Sequence, residues 1–439
     1  MPEELVEVKI ESLSPEGRGV AHVEGKVVFV DFALADEVLE FKYTRMSKKF
    51  DEARAVNILS ASPDRVEPIC AHFTVCGGCN MQHQNHEAQI ISKQNALMHQ
   101  FEFLGQVKPN NILPPLRGPL KHYRQKARLG VRYVYKKEKV LVGFREKGNS
   151  FLADIIECPV LHESVGLRIN DLSNLLMGMQ AKARIPQIEV AVDDATTALV
   201  FRHLDELCES DKTALIEFAQ KNNLQIMLQS GGPDTITALW PENPPALHYM
   251  LKEQQVKIEF QVNDFTQVNN EINQLMVSSA IEMLVLKKED KVLDLFCGLG
   301  NFTLAMAKQC AQVTGVEGAM SMVVKARENA KLNNIENAEF YAADLSKDIS
   351  QEPWLSKAGK SQSYDKILLD PPRSGAMEML KHIGKLNASR IVYVSCNPAT
   401  LARDSQVLVH EYGYTLEEAG VMDMFPHTAH VESIALFTK

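Results

Sequence analysis

At 439 residues the chain has room for two to three domains, and its 45% hydrophobic content is that of an ordinary globular protein. No apolar run approaches the ~18 residues of a membrane span. Met1-Pro2-Glu3-Glu4 puts acids where a secretory leader would be basic, so the expected setting is the cytoplasm, away from membranes. A net charge of −9 would disfavour nucleic acid if it were evenly spread, but Arg117–Lys147 holds eleven Lys/Arg against Glu138 and Glu146, a net +9. Tyr123, Tyr133, Tyr135 and Phe144 interleave with these charges, a pattern suited to single-stranded nucleic acid. The competing reading is a solvated lysine-rich hairpin.

In chain order, residues 5–60 alternate as short strands: Val6–Ile10, Val27–Val30, Val38–Phe41 and Ala53–Val56, with turn chemistry at Pro15–Gly19. Such spacing predicts a small OB-like β-barrel. Next comes Cys70-x5-Cys76-Gly77-Gly78-Cys79. In a long chain of a reducing compartment, clustered cysteines point to metal or catalysis rather than to disulfides. Cys158, in Glu157-Cys158-Pro159, is the best candidate for a fourth thiolate. Iron–sulfur and structural zinc both remain open at this point, because the spacing matches neither zinc's paired cysteines nor the ferredoxin runs.

Residues 87–104 form an expected amphipathic helix with Ile91, Leu97, Phe101 and Leu104 on its apolar stripe and Gly105 as its cap. The basic stretch follows a proline linker. Residues 150–264 mix helical stretches (163–180, 211–222) with strands (186–201, 225–229), and carry no catalytic constellation. Asp205, Glu206, Glu209 and Asp211 read as a solvated charge run.

From residue 265 regular βα alternation predicts a doubly wound parallel sheet. Its strands are Lys291–Leu295, Gln312–Val316, Ala338–Ala342, Lys366–Leu369 and Ile391–Val394, with a helix over Met320–Asn333 and a polar insertion over 346–363. Each strand ends in chemistry: Phe296 and the Gly298-x-Gly300 turn, then Glu317, Asp344, Asp370 and Cys396. A dinucleotide fingerprint needs a third small residue where Thr303 stands, which disfavours NAD. The turn suits the amino-acid end of S-adenosylmethionine, with Glu317 accepting from ribose hydroxyls. Cys396 ends a strand at Ser395-Cys396-Asn397-Pro398, where a thiol is either a nucleophile or a small buried hydrophobe.

Asp370-Pro371-Pro372-Arg373-Ser374-Gly375 with Ile391–Thr400 resembles the first signature of the RNA 5-methyluridine methyltransferases, and Met422–Glu432 resembles the second. With the cysteine cluster and a barrel like the TRAM module, the resemblance spans nearly the whole chain. It implies a Rossmann-like class I methyltransferase domain over 265–439, a TRAM barrel over 1–66 and a small α/β iron–sulfur domain over 67–264, whose helix 88–105 can pack on the catalytic domain. It implies methyl transfer from S-adenosylmethionine to C5 of a uridine, with Cys396 as nucleophile and Glu432 as base. Gln267, Phe296, Asn301, Glu317, Asp344 and Asp370 are implied as cofactor contacts, with His427 and His430 as structural or orienting residues and Phe265 as a stacking surface for the target base or its neighbour. It also implies a [4Fe-4S] cluster on Cys70, Cys76, Cys79 and Cys158, structural or RNA-contacting because it is remote in sequence from the catalytic motifs. Barrel and cluster together point to the 23S rRNA branch, acting as a monomer on a single-stranded or looped uridine. The same reaction on another rRNA or tRNA uridine, and a non-catalytic ribosome-assembly factor, are the alternatives. An intact Cys396 and Glu432 argue against the latter.

Overall fold

A computed structural model describes residues 4–357, 360–361 and 363–439. The acidic start Met1–Glu3 and residues 358, 359 and 362 of the expected polar insertion lie outside the described residues. Earlier in that insertion, Trp354 and Leu355 are buried, so its first half is not simply polar surface.

The N-terminal strands Val6–Lys9, Ser12–Leu13, Gly19–Val23, Lys26–Asp31, Val38–Met46 and Asp51–Ser60 form one six-stranded sheet around Ile10, Val28, Val30, Leu39 and Phe41. A second six-stranded sheet runs Ile236–Trp240, Leu224–Gln229, Thr197–Arg202, Gln187–Val192, Lys126–Val134, Lys139–Gly143. The expected strand 186–201 is thus a hairpin, and the helix expected over 163–180 is two pieces, Glu163–Gly166 and Ile169–Gly178. Asp211 is not part of a solvated run: it is buried and accepts from the backbone N–H groups of Gln180 and Ala181 at 2.8 and 2.9 Å. A buried carboxylate needs such donors, because unpaired it would cost several kcal/mol on the order of a lost charged hydrogen bond.

The basic stretch supplies two strands of this sheet, and much of its charge is already paired. Arg117 meets Glu87, Arg128 meets Glu189, Lys137 and Lys139 meet Asp154, and Lys147 meets Asp31. Lys126 is turned inward, donating to the carbonyls of Val262 and Asp264 at 2.7 and 2.6 Å. The +9 in the sequence therefore overstates the positive surface available to RNA.

The largest sheet has eight strands: Ala338–Ala342, Gln312–Glu317, Lys291–Leu295, Lys366–Leu369, Arg390–Ser395, Glu432–Thr438, Thr415–Met422, Asn111–Ile112. The first five are mutually parallel. Glu432–Thr438 runs antiparallel to both of its neighbours, which corrects the expectation of a purely parallel sheet. Apolar clusters cover both faces, one built on Val292, Leu368, Val392 and Ile434, the other on Leu293, Ile367, Ile391 and Tyr393. Alternate residues of the same strands go to opposite faces, as a doubly covered sheet requires. Strand order reverses between Lys291–Leu295 and Lys366–Leu369, which opens a crevice at their C-terminal ends.

Helix His86–Gln100 is capped by Asn85, whose side chain accepts from Ala88 N–H at 2.8 Å, and it continues as a π turn over Phe101–Gly105. Gln106, not Gly105, takes the left-handed conformation. Gly105 is needed for a different reason: a Cβ there would sit 2.7 Å from the Ala402 carbonyl oxygen on the adjacent helix Pro398–His410. Of the expected stripe, Leu97 and Phe101 are buried but Ile91 and Leu104 are exposed. Lys93 takes the buried place instead, because it has a carboxylate to meet.

Candidate active site

Cys396 follows the last residue of strand Arg390–Ser395 and precedes Asn397, whose side chain accepts from Ala399 N–H at 3.1 Å and caps helix Pro398–His410. The thiol thus lies at a helix N-terminus, where the backbone field favours a thiolate. Ser395 is in register with Ser433 on the antiparallel neighbour, and just beyond the end of that ladder Cys396 lies close enough for the Glu432 charge to act on its thiol. Two residues 36 positions apart in sequence are made neighbours by one strand reversal.

Burial pushes the Cys396 thiol up, helped by the carboxylates of Glu432 and Asp370 and opposed by Arg373. Burial and the nearby Asp370 push Glu432 up to about 8, against Arg373 and Lys93. Burial raises Asp370 to about 7. Two acids and a thiol crowded at one rim, with Arg373 as the shared counter-charge, are a constellation whose proton affinities are set by environment. Arg373 donates to His430 Nδ1 at 3.3 Å, and its own carbonyl accepts from Asn397 Nδ2 at 2.9 Å. Arg373, Cys396 and His430 line one cavity of about 280 Å³.

The loop leading to Glu432 is clamped from several sides. Lys93, 2% exposed, reaches Asp423 Oδ1 at 2.6 Å and the Phe425 carbonyl at 3.0 Å, and His86 reaches Asp423 Oδ2 at 2.7 Å. Burial alone would raise the Asp423 carboxyl, but its hydrogen bond from His86 and the charge of Lys93 outweigh this and hold it below the ordinary value. His427 sits at φ 68°, its N–H donating to Gln89 Oε1 and its carbonyl accepting from the N–H groups of Asn80 and Met81. Tyr123 donates to the Pro426 carbonyl at 3.0 Å. Removing one partner of a buried pair such as Lys93–Asp423 costs about 3–5 kcal/mol, enough to dominate over any single apolar contact nearby. Lys93, Asp423 and Arg373 were not singled out in sequence. Nothing in the spacing marks Lys93, because the buried face it shares with Ala88, Ile90 and Leu97 also carries Gln89.

At the crevice, Gly298 and Gly300 have φ of 54° and 90°, and Phe296 before them is also left-handed at 68°. A side chain at Gly300 would meet Leu304 at 3.1 Å, whereas a Cβ at Gly298 would meet nothing within 4 Å, leaving open space over that peptide. Glu317, at the end of the next strand, accepts from Gly298 N–H at 3.2 Å and Ala319 N–H at 3.2 Å. Thr303 turns inward and donates to the buried Asp294, so the position that excludes a third glycine has a packing role. Asn301 is held between Tyr249, whose hydroxyl donates to its Oδ1 at 2.9 Å, and Asn273. Asp344 is half exposed, held at a pKa of about 2 by Ser346 and Lys347, and so is fully ionised at neutral pH. Gln267 is half-buried two residues from Phe265, which at 72% exposed is not a core phenylalanine.

Cys70, Cys76, Cys79 and Cys158 are all free and partly buried, and they line one cavity of about 400 Å³. Burial raises the Cys76 and Cys79 thiols to about 11 and 12, and each is raised further by its neighbouring cysteines. Among the described residues no group of three or more His, Cys, Asp or Glu side chains gathers tightly around a single metal ion. The same cavity is lined by Arg373, Phe425 and His430. Sequence distance had separated the cysteines from the catalytic motifs; in space they share a wall.

A family model described as tRNA (Uracil-5-)-methyltransferase matches residues 85–439, and a TRAM domain model matches residues 1–56. The chain is 50% identical, over 100% of its length and 98% of the relative's, to the Alcanivorax borkumensis protein named 23S rRNA (uracil(1939)-C(5))-methyltransferase RlmD. It is 49% identical at the same coverage to proteins of that name from Francisella tularensis subsp. novicida and Methylococcus capsulatus. The solved structure of Pyrococcus abyssi tRNA (uracil-54, C5)-methyltransferase in complex with S-adenosyl-L-homocysteine shares the fold, with a TM-score of 0.75 at 23% identity over 99% of this chain and 100% of that one.

Proposed function

We propose that this chain, which belongs to the tRNA (uracil-5-)-methyltransferase family, methylates C5 of a uridine in 23S rRNA, the one numbered 1939 in the names of its full-length relatives. It is an S-adenosylmethionine-dependent RNA (uracil-C5)-methyltransferase with an N-terminal TRAM domain. The nearness of Cys396 and Glu432 at the end of the 390–395/432–438 ladder, where the carboxylate acts on the thiol, is the observation that carries the mechanism.

Uracil C5 is too weak a nucleophile to take a methyl group unaided. The Cys396 thiolate adds to C6, and the ring electrons move toward O4, leaving C5 carbanion-like. Gln267, Phe296, Asn301, Glu317, Asp344 and Asp370 would hold S-adenosylmethionine, which would supply the electrophilic methyl group that C5 takes. The Glu432 carboxylate then removes the C5 proton; the C–H electrons form C5=C6, and Cys396 leaves as thiolate. Arg373 offsets negative charge at this rim, and His430 orients Arg373. The open space over Gly298 and the acceptor at Glu317 fit the donor. The target base must leave its stack to reach the thiol, so a looped or single-stranded uridine is the natural substrate, met by a monomer in the cytoplasm. Residues 1–66, 67–264 and 265–439 are the working units, with helix 88–105 docked on the catalytic one through Phe101–Gly105 and strand Asn111–Ile112 added to the edge of its sheet. The test is nucleoside mass spectrometry of a 23S rRNA fragment and a tRNA transcript after incubation with protein and S-adenosylmethionine. Methylated uridine is expected only in the 23S fragment; methylation of the tRNA alone would move the substrate to the tRNA branch.

The four cysteines would hold a [4Fe-4S] cluster. Four cysteines around one cavity are the ligand set of such a cluster, and a single tetrahedral zinc, which needs its thiolates about 2.3 Å from a common centre, is the competing occupant. The Cys79 neighbours Asn80 and Met81 bond the His427 carbonyl, so the cluster would brace the loop that carries Glu432. Anaerobic purification should yield iron and acid-labile sulfide in equal amounts, both lost in Cys158→Ser. Stoichiometric zinc without sulfide would sink this assignment.

A further inference from the structure

Two cavities meet above the Cys396 thiol. The inner one, about 280 Å³, contains the thiol, Arg373 and His430. The outer one, about 460 Å³, lies between the barrel segment Glu11–Gly17 and helix His86–Gln100. They share Pro15, Ala96, Gln100, Ala429 and Val431, so they are parts of one cleft that runs from the thiol to the TRAM barrel. Helix positions 92, 95, 96, 99 and 100 line the outer part, at the three- and four-residue spacing of a single helical face.

The chemistry of this wall is specific. An outward helix face is ordinarily charged. Here it offers Ser92, Asn95, His99 and Gln100, opposite the apolar Leu13, Pro15 and Met81. The charged residues on the wall are already committed: Glu11 pairs with His22, and Lys93 pairs with Asp423. A phosphate would find no available counter-charge from these residues. A flat heterocycle with hydrogen-bonding edges would find amides for its edge and apolar side chains for its faces. The volume lies within the roughly 300–1,000 Å³ range of small-ligand pockets.

We propose that this outer cleft is a nucleobase subsite, which holds the base of a nucleotide adjoining the target uridine, with Asn95 and Gln100 reading its edge and Pro15 and Met81 packing on it. The inference rests on the RNA-methyltransferase reading, and extends it to how the RNA sequence is recognised. Continuity with the thiol's cavity requires that the occupant be joined to the reacting nucleotide by one or a few backbone units. Unstacked RNA bases are read by hydrogen bonds to their exposed edges, and a side-chain amide supplies both a donor and an acceptor for them. The barrel therefore takes part in recognition next to the reacting base, as well as by general attraction for RNA.

The test uses full-length protein and synthetic 23S rRNA fragments in which each nucleotide within three of the target uridine is replaced, one at a time, by an abasic riboside. One replacement should lower wild-type kcat/KM about tenfold, the size of one lost base-edge hydrogen-bond set. Gln100→Ala and Asn95→Ala, both placed on a helix that tolerates alanine, should lower kcat/KM on the intact fragment and lose nothing further on that abasic fragment. Gln94→Ala, off the cleft, should follow wild type on every fragment. Methylation indifferent to every flanking base, or losses that simply multiply, would overturn the subsite while leaving the activity intact. Wild-type protein that methylates no fragment would overturn the activity reading, and the subsite with it.

Discussion

Replacing Cys396 by alanine is expected to lower kcat by roughly 10^4-fold or more, because it removes the atom through which C5 is activated rather than a group that tunes the rate. Cys396 is the cysteine among the described residues that lines the inner cavity, so no second thiol stands ready. Cys297 is buried and packs 3.0 Å from where a Gly315 Cβ would lie, inside the sheet. The diagnostic measurement is covalent. A 5-fluorouridine-substituted 23S rRNA fragment carries fluorine where the C5 proton would be, so Glu432 has nothing to remove and the adduct cannot eliminate. Wild type with S-adenosylmethionine should give a band of reduced mobility on a denaturing gel, and Cys396→Ala should give none while still binding the fragment. An adduct that persists in the alanine variant would move the nucleophile elsewhere. The thiol's raised pKa adds a condition: in the empty site it is mostly neutral at pH 7, so adduct formation should quicken as pH rises.

The strand ends of the catalytic sheet were legible because buried parallel strands are short apolar runs, and because each is followed at once by a polar or glycine residue. Phe296, Glu317, Asp370 and Cys396 all fall on the rim expected for them. The pairing of Cys396 with Glu432 was not legible from periodicity. It depends on Glu432–Thr438 running backwards between Arg390–Ser395 and Thr415–Met422, and an antiparallel insertion leaves no mark on hydrophobic spacing. The basic stretch misled for a related reason. Charge density along a chain is silent about partners, and Lys147 finds its acid at Asp31, 116 residues away. Asp211 and Lys93 show the same blindness for single residues: a charged side chain reads as exposed until the donors or acceptors that make its burial affordable are known. The nearness of the cysteines to Arg373 and His430 was likewise hidden, since it arises where the cysteine loop folds against the loop before Glu432.

Glu432→Gln should separate the steps of the reaction. Addition of the thiolate and receipt of the methyl group precede proton removal, so neither needs the carboxylate, and the variant should stall with natural, fluorine-free RNA covalently attached at C6 and already methylated at C5. Turnover should fall by about 10^2–10^4-fold, the usual worth of a positioned base. A stable adduct on natural RNA should appear that wild type does not accumulate, and the variant should still form the 5-fluorouridine adduct that Cys396→Ala cannot. The pH dependence follows from the surroundings of the carboxyl. Burial and Asp370 raise it to about 8, Arg373 and Lys93 pull the other way, and the base is the ionised form. At pH 7 the carboxyl is mostly protonated, so the step that needs it, decay of the methylated adduct followed in a single turnover, should quicken between pH 6 and 9 with a midpoint near 8. The glutamine variant has no such ionisation and should lose the Glu432 limb from that profile. If it instead fails to form the 5-fluorouridine adduct, with binding intact, Glu432 acts in the addition step, and the base that removes the C5 proton must be sought in Asp370.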